Sequence, residues 1–319
     1  MNVLITSISR KVPMVKAVHR SLDEVVPGAL VCGGDCDPGV VGRRFVDEFW
    51  EMEEDDHLRV EDFVDFCRAN DVRWVIPSRD GELLSLALWK EELASEGIEV
   101  MISPLETVRA CVDKLRFYEC LQSMREIVPT FEDPGSRNDS HWIVKERFGA
   151  GSRRVLQDLP LKRARRLAGG LSDPLFQPFF KGVEYSIDLY RSRGGEVWGC
   201  VVRSRDRIES GESQISTIVR HDSLQRVCCR AAKKLGITGH AVFQAIEGSD
   251  GKLHLFECNC RFGGASTLSV AAGLESFEWF FRETTEEGFK PKKFVGGIPG
   301  LRLIRHPADR FEQSKENER

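Results

Sequence analysis

The chain has 319 residues, 41% hydrophobic and 30% charged, with a formal net charge of −4. That length supports two or three packed subdomains around a sizeable core, and the composition is that of an ordinary globular enzyme. No Lys/Arg block tracks a phosphate backbone and no stretch approaches the roughly 20 apolar residues that cross a bilayer, so neither nucleic acid nor membrane is an expected partner.

Taken in chain order, residues 2–7 read as a short buried strand, followed by a helix with Val12, Val15, Val18 and Leu22 at helical spacing. Residues 29–33 read as a second strand, 60–70 as a helix carrying Phe63, Val64, Phe66 and Cys67, and 73–77 as another strand. Residues 83–96 follow as a helix and 99–102 as a strand. Alternation of strand and helix over about the first 105 residues predicts a parallel sheet with helices on both faces. The turn after the first strand, Thr6-Ser7-Ile8-Ser9-Arg10, lacks the glycines of a dinucleotide-binding fingerprint, so a nicotinamide cofactor is not expected there.

The middle of the chain changes character. Residues 142–144 form a strand that runs into Lys145-Glu-Arg-Phe-Gly-Ala-Gly-Ser152. The apolar run 175–180 leads into 181–189, which alternates as a strand, and 197–203 is its expected partner. The polar stretch 204–217 suits a mobile loop. Residues 224–235 read as a helix, and 241–247 with 254–257 as an antiparallel pair joined through Gly248 to Gly251. The charged tail after Asp309 is expected to fray. MNVLITSISR has no basic start, long apolar core or cleavage site of a signal peptide, so a cytoplasmic location with reduced thiols is expected for the ten cysteines. Cys258 and Cys260 are spaced C-x-C, but no second pair or histidines stand at ligand spacing, and cysteine metal binding is not expected.

The densest chemistry lies in Leu253-His-Leu-Phe-Glu-Cys-Asn-Cys-Arg-Phe-Gly-Gly264. Alternation on a strand sends Glu257, Asn259 and Arg261 to one face. A carboxylate and an amide oxygen are hard ligands for Mg²⁺, and a guanidinium can steady a transferring phosphoryl group; the same pattern also fits a solvent-facing polar strand. Gln244, on the preceding strand, can face the same site. Lys145 with its glycine turn can meet phosphates, or can be a surface hairpin. Gln177 and Glu184 flank Pro178-Phe-Phe-Lys-Gly-Val, an arrangement for a purine and ribose or a buried aromatic bend. Lys114, after Asp113, opens a helical stretch and by itself reads as an ordinary surface lysine. Arg79, Asp80 and Glu82 either meet a substrate's charged groups or form a capped helix start, a role for which Ser78 and Asp80 are suited.

The order Asp113-Lys114, Lys145 with its glycine loop, Gln177 to Gly182-Val-Glu184-Tyr, then Gln244 and Glu257-x-Asn259-x-Arg261 resembles the ATP-grasp superfamily over nearly the whole chain. The nearest look is to the carbamoyl phosphate synthetase large subunit and its small stand-alone relatives, which include the pyrrolysine-pathway ligase. Val75-Ile-Pro-Ser-Arg-Asp-Gly-Glu-Leu83 and Ile102-Ser-Pro-Leu-Glu-Thr107 fit that family's N-terminal domain. The resemblance implies an α/β fold: a Rossmann-like pre-ATP-grasp domain at 1–108, a small lid subdomain at 109–176 and a large subdomain at 177–319. It implies phosphate contacts from Lys114 and Lys145 and a lid turn at Gly149, Gly151 and Ser152. An adenine hinge is implied at Gln177, Pro178 and Phe179, and ribose contact from Glu184. It further implies Mg²⁺ (or Mn²⁺) ligands in Glu257 and Asn259 with Gln244 assisting. Arg261 would act on the transferred phosphate, and one of Arg203, Arg205 and Arg207 on the substrate carboxylate. Gln177 and Gln244 depart from the acids common at those positions. The chain also lacks the second ATP-grasp half of a full synthetase.

The expected activity is an ADP-forming carboxylate–amine ligase that uses ATP and Mg²⁺ on small-molecule carboxylate and amine substrates. Two alternatives stay open: a bicarbonate- or carbamate-activating enzyme, and a non-catalytic ATP sensor or subunit. Analogy with relatives makes a homodimer the expected assembly.

Overall fold

A computed structural model describes residues 1–54, 57–137, 141–149 and 155–312. Its first sheet joins β1 (Asn2–Thr6), β2 (Val31–Asp35), β3 (Glu48–Glu51), β4 (Val72–Ile76) and β5 (Glu99–Val100). The spatial order is β3-β2-β1-β4-β5 and every pairing is parallel. Helices α1 (Val12–Asp23), α2 (Val60–Ala69), α3 (Leu83–Leu88), α4 (Lys90–Ser95) and α5 (Leu105–Val112) accompany it. A parallel sheet covered on both faces needs apolar residues on both sides of each strand, and Val3, Leu4 and Ile5 are all fully buried. Strand order reverses beside β1, so a crevice opens at the carboxyl ends of β1 and β4, the place where open α/β sheets bind ligands. Two details differ from the sequence reading. The expected single helix over 83–96 is broken at Trp89 into α3 and α4. A short edge strand, β3, was not foreseen: its Glu48-Phe-Trp-Glu51 sequence is too brief to show a period.

Helix α6 (Lys114–Leu121) follows, its N-terminus capped by Asp113, whose Oδ1 accepts from the amides of Leu115 at 3.0 Å and Arg116 at 3.2 Å. Strands β6 (Trp142–Glu146), β7 (Leu156–Leu159) and β8 (Pro174–Pro178) form a three-stranded antiparallel sheet with β6 in the centre, backed by α7 (Leu161–Ala168). Trp142, Val144 and Ala164 are at the middle of its small core.

The largest sheet has six antiparallel strands in the order β13-β12-β9-β10-β11-β14. These are β9 (Gly182–Arg191), β10 (Val197–Glu209), β11 (Glu212–Val219), β12 (Gly239–Gly248), β13 (Leu253–Asn259) and β14 (Arg302–Ile304). Helix α8 (Asp222–Leu235), whose leucine, valine and alanine face is buried, covers one side. Helices α9 (Thr267–Ala271) and α10 (Ser276–Thr285) pack toward the first sheet, where Phe277, Phe280 and Phe281 join a core shared with α1 and β1. The expected mobile loop at 204–217 is corrected here: it is a long hairpin, paired from Val202↔Val219 to Glu209↔Glu212. Its turn is Ser210-Gly211, with φ of 49° and 78°, the left-handed pair that matches strand twist in a two-residue hairpin. The polar composition that suggested a loop reflects strands with one face on a wet cleft. Among the described residues no helix is long and apolar enough to cross a membrane. The tail from residue 313 lies outside the described residues.

Candidate active site

A cleft of about 1210 Å³ lies where the three sheets meet. Lys114, Lys145, Gly149, Gln177, Pro178, Phe179, Glu184, Arg203, Arg205, Gln244, Glu257, Asn259 and Arg261 all line it. Gly151 and Ser152 lie outside the described residues.

Lys145 sits on the central strand of the small sheet with 6% of its surface exposed. Burial pushes its ammonium down to about 8 from an ordinary 10.5; Glu257 opposes that fall and Lys114 adds to it. The nitrogen lies 5.5 Å from the centre of the Phe256 ring. Lys114 is also buried, and its Nζ donates to the carbonyls of Gly149 at 2.9 Å and Arg147 at 3.3 Å. These bonds tie α6 to the start of the glycine turn, where Gly149 has φ of 116°. A bidentate Arg147–Asp113 pair, at 2.9 and 2.7 Å, braces the same junction. Two ammonium groups thus enter the cleft from one side, arranged before any anion arrives.

Opposite them, Gln244 of β12 stands directly across from Glu257 of β13 in the strand register. Asn259 Nδ2 donates to Glu257 Oε1 at 3.2 Å. One carboxylate with two amide oxygens is a hard-oxygen donor set suited to Mg²⁺, which keeps waters and takes its remaining ligands from phosphates. A single acid gives it little charge of its own, so the set fits a cation delivered with a nucleotide better than a free one. Arg261 lies two residues past the end of β13, at the bend rather than on the strand. Its guanidinium is clamped by Asp80 from the turn that follows β4, Nε to Oδ1 at 2.7 Å and Nη2 to Oδ2 at 2.5 Å. That pair spans the N-terminal and C-terminal parts of the chain.

The strand face of β9, β10 and β12 holds the other charges. Arg203 is 3% exposed and donates through Nε to Asp188 Oδ2 at 2.7 Å. Asp188 is fully buried and also accepts from the hydroxyls of Ser266 and Ser269, with His240 at 3.3 Å. Burial alone would raise its carboxyl; Arg203, His240 and Ser266 outweigh that and hold it well below the usual carboxylate range. Arg205 pairs with Glu184 and donates to Gly211 O at 2.6 Å. Arg207 is corrected: it points outward, pairing with Glu209 at 2.7 Å, and does not line the cleft. Gln177 is 2% exposed and spends its amide on Thr130 Oγ1 at 2.7 Å, while the amide of Phe179 donates to His141 O at 2.9 Å. Val128, Ile143, Ile246 and Phe256 give this end of the cleft apolar walls.

Three features escaped the sequence reading. Asp188, the anchor of Arg203, looked like one polar residue in a strand. Lys11 lines the cleft near Arg261, its ammonium lowered by burial and by that arginine. Asp80 turned out to hold Arg261, while Glu82 makes the capped turn, accepting from the amides of Ser78 at 2.7 Å and Arg79 at 2.9 Å.

Family models match two stretches: "PylC-like, N-terminal domain" at residues 3–101 and "ATP-grasp in the biosynthetic pathway with Ter operon" at residues 171–304. No curated protein matches the chain significantly by sequence. Among solved structures, the biotin carboxylase domain of Hydrogenobacter thermophilus 2-oxoglutarate carboxylase, in complex with MgADP and bicarbonate, is similar at TM-score 0.74 and 14% identity. The match covers 92% of this chain and 71% of that one. Biotin carboxylase from Campylobacter jejuni is similar at TM-score 0.70 and 12% identity, over 91% of this chain and 72% of that one. N5-carboxyaminoimidazole synthetase from Staphylococcus aureus, complexed with ADP, is similar at TM-score 0.70 and 14% identity, over 91% and 78%. At such identities the likeness speaks for fold alone, and it agrees with the two family models. Together, the ATP-grasp match over residues 171–304, the PylC-like match over residues 3–101 and the fold are consistent with the ATP-grasp superfamily.

Proposed function

We propose that this protein is an ATP-dependent ligase that phosphorylates a carboxylate and couples the acyl phosphate to an amine, releasing ADP and phosphate. The observation that carries the proposal is the meeting of opposite groups in one cleft: Lys114 and Lys145 line it together with Gln244, Glu257 and Asn259, and Asn259 Nδ2 donates to Glu257 Oε1 at 3.2 Å. A carboxylate repels nucleophiles until its oxygen is converted to a good leaving group, so the protein's task is to position the reactants and offset phosphate charge.

In this reading Lys114 and Lys145 receive the nucleotide phosphates, and the apolar end near Phe179 and Ile143 receives adenine. Glu184, released in part from Arg205, meets the ribose. Glu257, Asn259 and Gln244 would hold Mg²⁺, which would supply charge neutralisation to the phosphates. Arg261 steadies the transferred phosphoryl group, its aim fixed by Asp80. Arg203, pre-oriented by Asp188, faces the substrate carboxylate. The units 1–108, 109–176 and 177–319 serve as the acceptor-side domain, the lid and the nucleotide platform; the hinge falls within Pro174–Pro178, a strand of the small sheet.

Bicarbonate activation is the second reading, favoured by the presence of bicarbonate with the similar biotin carboxylase domain. The cleft of about 1210 Å³ has room for an acid larger than bicarbonate beside a nucleotide. The test is ADP release across pools of carboxylates and amines, with mass analysis of products. ADP release that needs both an acid and an amine supports the ligase; release with bicarbonate alone supports the second reading. Nucleotide binding without ADP formation in any pool supports a sensor.

A further inference from the structure

The strand that aims Glu257 and Asn259 at the cleft aims Cys258, between them, the other way. Cys258 on β13 and Cys260 just past its end meet Cys111, near the end of α5, behind the nucleotide platform. The three sulfur atoms lie within 4.8 Å of one another, and Cys111, Cys258 and Cys260 are 7%, 1% and 2% exposed. Their neighbours are apolar: Phe117, Leu121, Phe243 and Leu255 share the core cluster. The Ser103 hydroxyl stands beside Cys260. Nothing in the reaction proposed above uses these thiols.

We propose that Cys111, Cys258 and Cys260 form a three-thiolate site for a trivalent thiophilic metalloid. Metal–sulfur lengths of about 2.3 Å put three thiolates around one centre within about 4 Å of each other, a small contraction from the spacing present. Oxygen-seeking cations do not take such a set, and structural zinc demands a fourth ligand. Among the described residues no histidine, aspartate or glutamate joins the cluster. Charge decides between the remaining soft centres. Three thiolates leave a net −2 around a monovalent ion and −1 around a divalent one, in an apolar core where unpaired charge is costly. Around a trivalent centre the complex is neutral. The chemistry balances without an oxidant: a trihydroxide loses its three hydroxyls, each thiol gives one proton, three bonds to sulfur form, and three waters leave.

The site is joined to the nucleotide machinery on both sides. Cys111 is two residues before Asp113, the cap of the helix that begins with Lys114, and Cys258 and Cys260 alternate with Glu257, Asn259 and Arg261. Drawing the sulfurs together shifts both runs, so occupancy is expected to weaken nucleotide binding.

The test uses the full chain with exposed Cys36 and Cys120 changed to serine, titrated with arsenite. Binding is read by native mass spectrometry and by counting thiols after a denaturing quench. The expected result is one arsenic per chain, three thiols protected, and nucleotide affinity measured by fluorescence reduced at least about ten-fold in the loaded protein. Cys111→Ala should bind arsenite at least about ten-fold more weakly. Cys111→Ser serves if the alanine variant does not fold, and Cys228→Ala, in the same core, should match the parent. No binding by the parent, two thiols protected, or equal binding by the Cys111 variants overturns the site. Tighter capture of Cu(I) than of arsenite overturns the charge selection.

Discussion

Lys145 offers a prediction in which stability and function move in opposite directions. Its ammonium is held at about 8 against an ordinary 10.5 because it is buried, with Glu257 returning only part of the loss. At about 1.4 kcal/mol per pH unit, the difference of about 2.5 pH units amounts to a cost of about 3.5 kcal/mol to the nucleotide-free fold. The sign follows from proton counting. Below about 8 the folded and unfolded chains both carry the proton and the cost is fully present. Between about 8 and 10.5 the unfolded chain holds a proton that the folded chain has released, so stability rises with pH; above 10.5 the cost is gone. Lys145→Met keeps length and apolar contact while removing the charge. Its nucleotide-free form should therefore melt several degrees higher than wild type at pH 7, at roughly 2 °C per kcal/mol. The gain should shrink through pH 8 to 10.5. ATP with Mg²⁺ should raise the melting temperature of wild type and leave that of the variant unmoved. Differential scanning fluorimetry across pH, with and without nucleotide, reads all of this. A variant that melts at or below wild type at pH 7, or a gain that does not vary with pH, would refute the reasoning.

Other variants separate the parts of the site. Glu257→Ala should lower ATP-dependent turnover by at least about 100-fold while the melting temperature stays within a few degrees, since the residue lines the cleft and not a core. Asp80→Asn loosens Arg261; the lost charge-assisted bonds, about 1.5–3 kcal/mol, should appear as a roughly 10- to 100-fold fall in kcat with nucleotide affinity little changed. Asp188→Asn leaves the Arg203 charge buried without its partner and should destabilise the fold by about 3–5 kcal/mol in denaturant titration; a loss below 1 kcal/mol would show that the serine hydroxyls and His240 suffice. Because one carboxylate carries the cation set, Mg²⁺ binding by calorimetry should be weak alone and strengthen with ADP or ATP present.

The parallel sheet was legible because its strands are short, apolar and separated by helices with clear period, as in Val12 to Leu22. The late pair β12–β13 was legible from alternation and its Gly248–Gly251 turn, and with it the cleft-facing side of Glu257 and Asn259. What failed did so for a physical reason. The hairpin of β10 and β11 was read as a loop because strands beside a wet cleft carry serine and arginine where core strands carry valine; Ser210-Gly211 was the available signal. Contacts between distant segments left no trace in spacing: Asp80 with Arg261, Asp188 with Arg203, and Cys111 with Cys258 and Cys260 are set by packing of whole elements.

The most direct measurement of the central claim follows oxygen. With an acid and amine pair found by ADP release, the acid is labelled with ¹⁸O in its carboxylate and the phosphate formed is analysed by mass. Phosphorylation of the carboxylate predicts one labelled oxygen in each phosphate, with ADP as the other product. Unlabelled phosphate, or AMP with pyrophosphate, would contradict it.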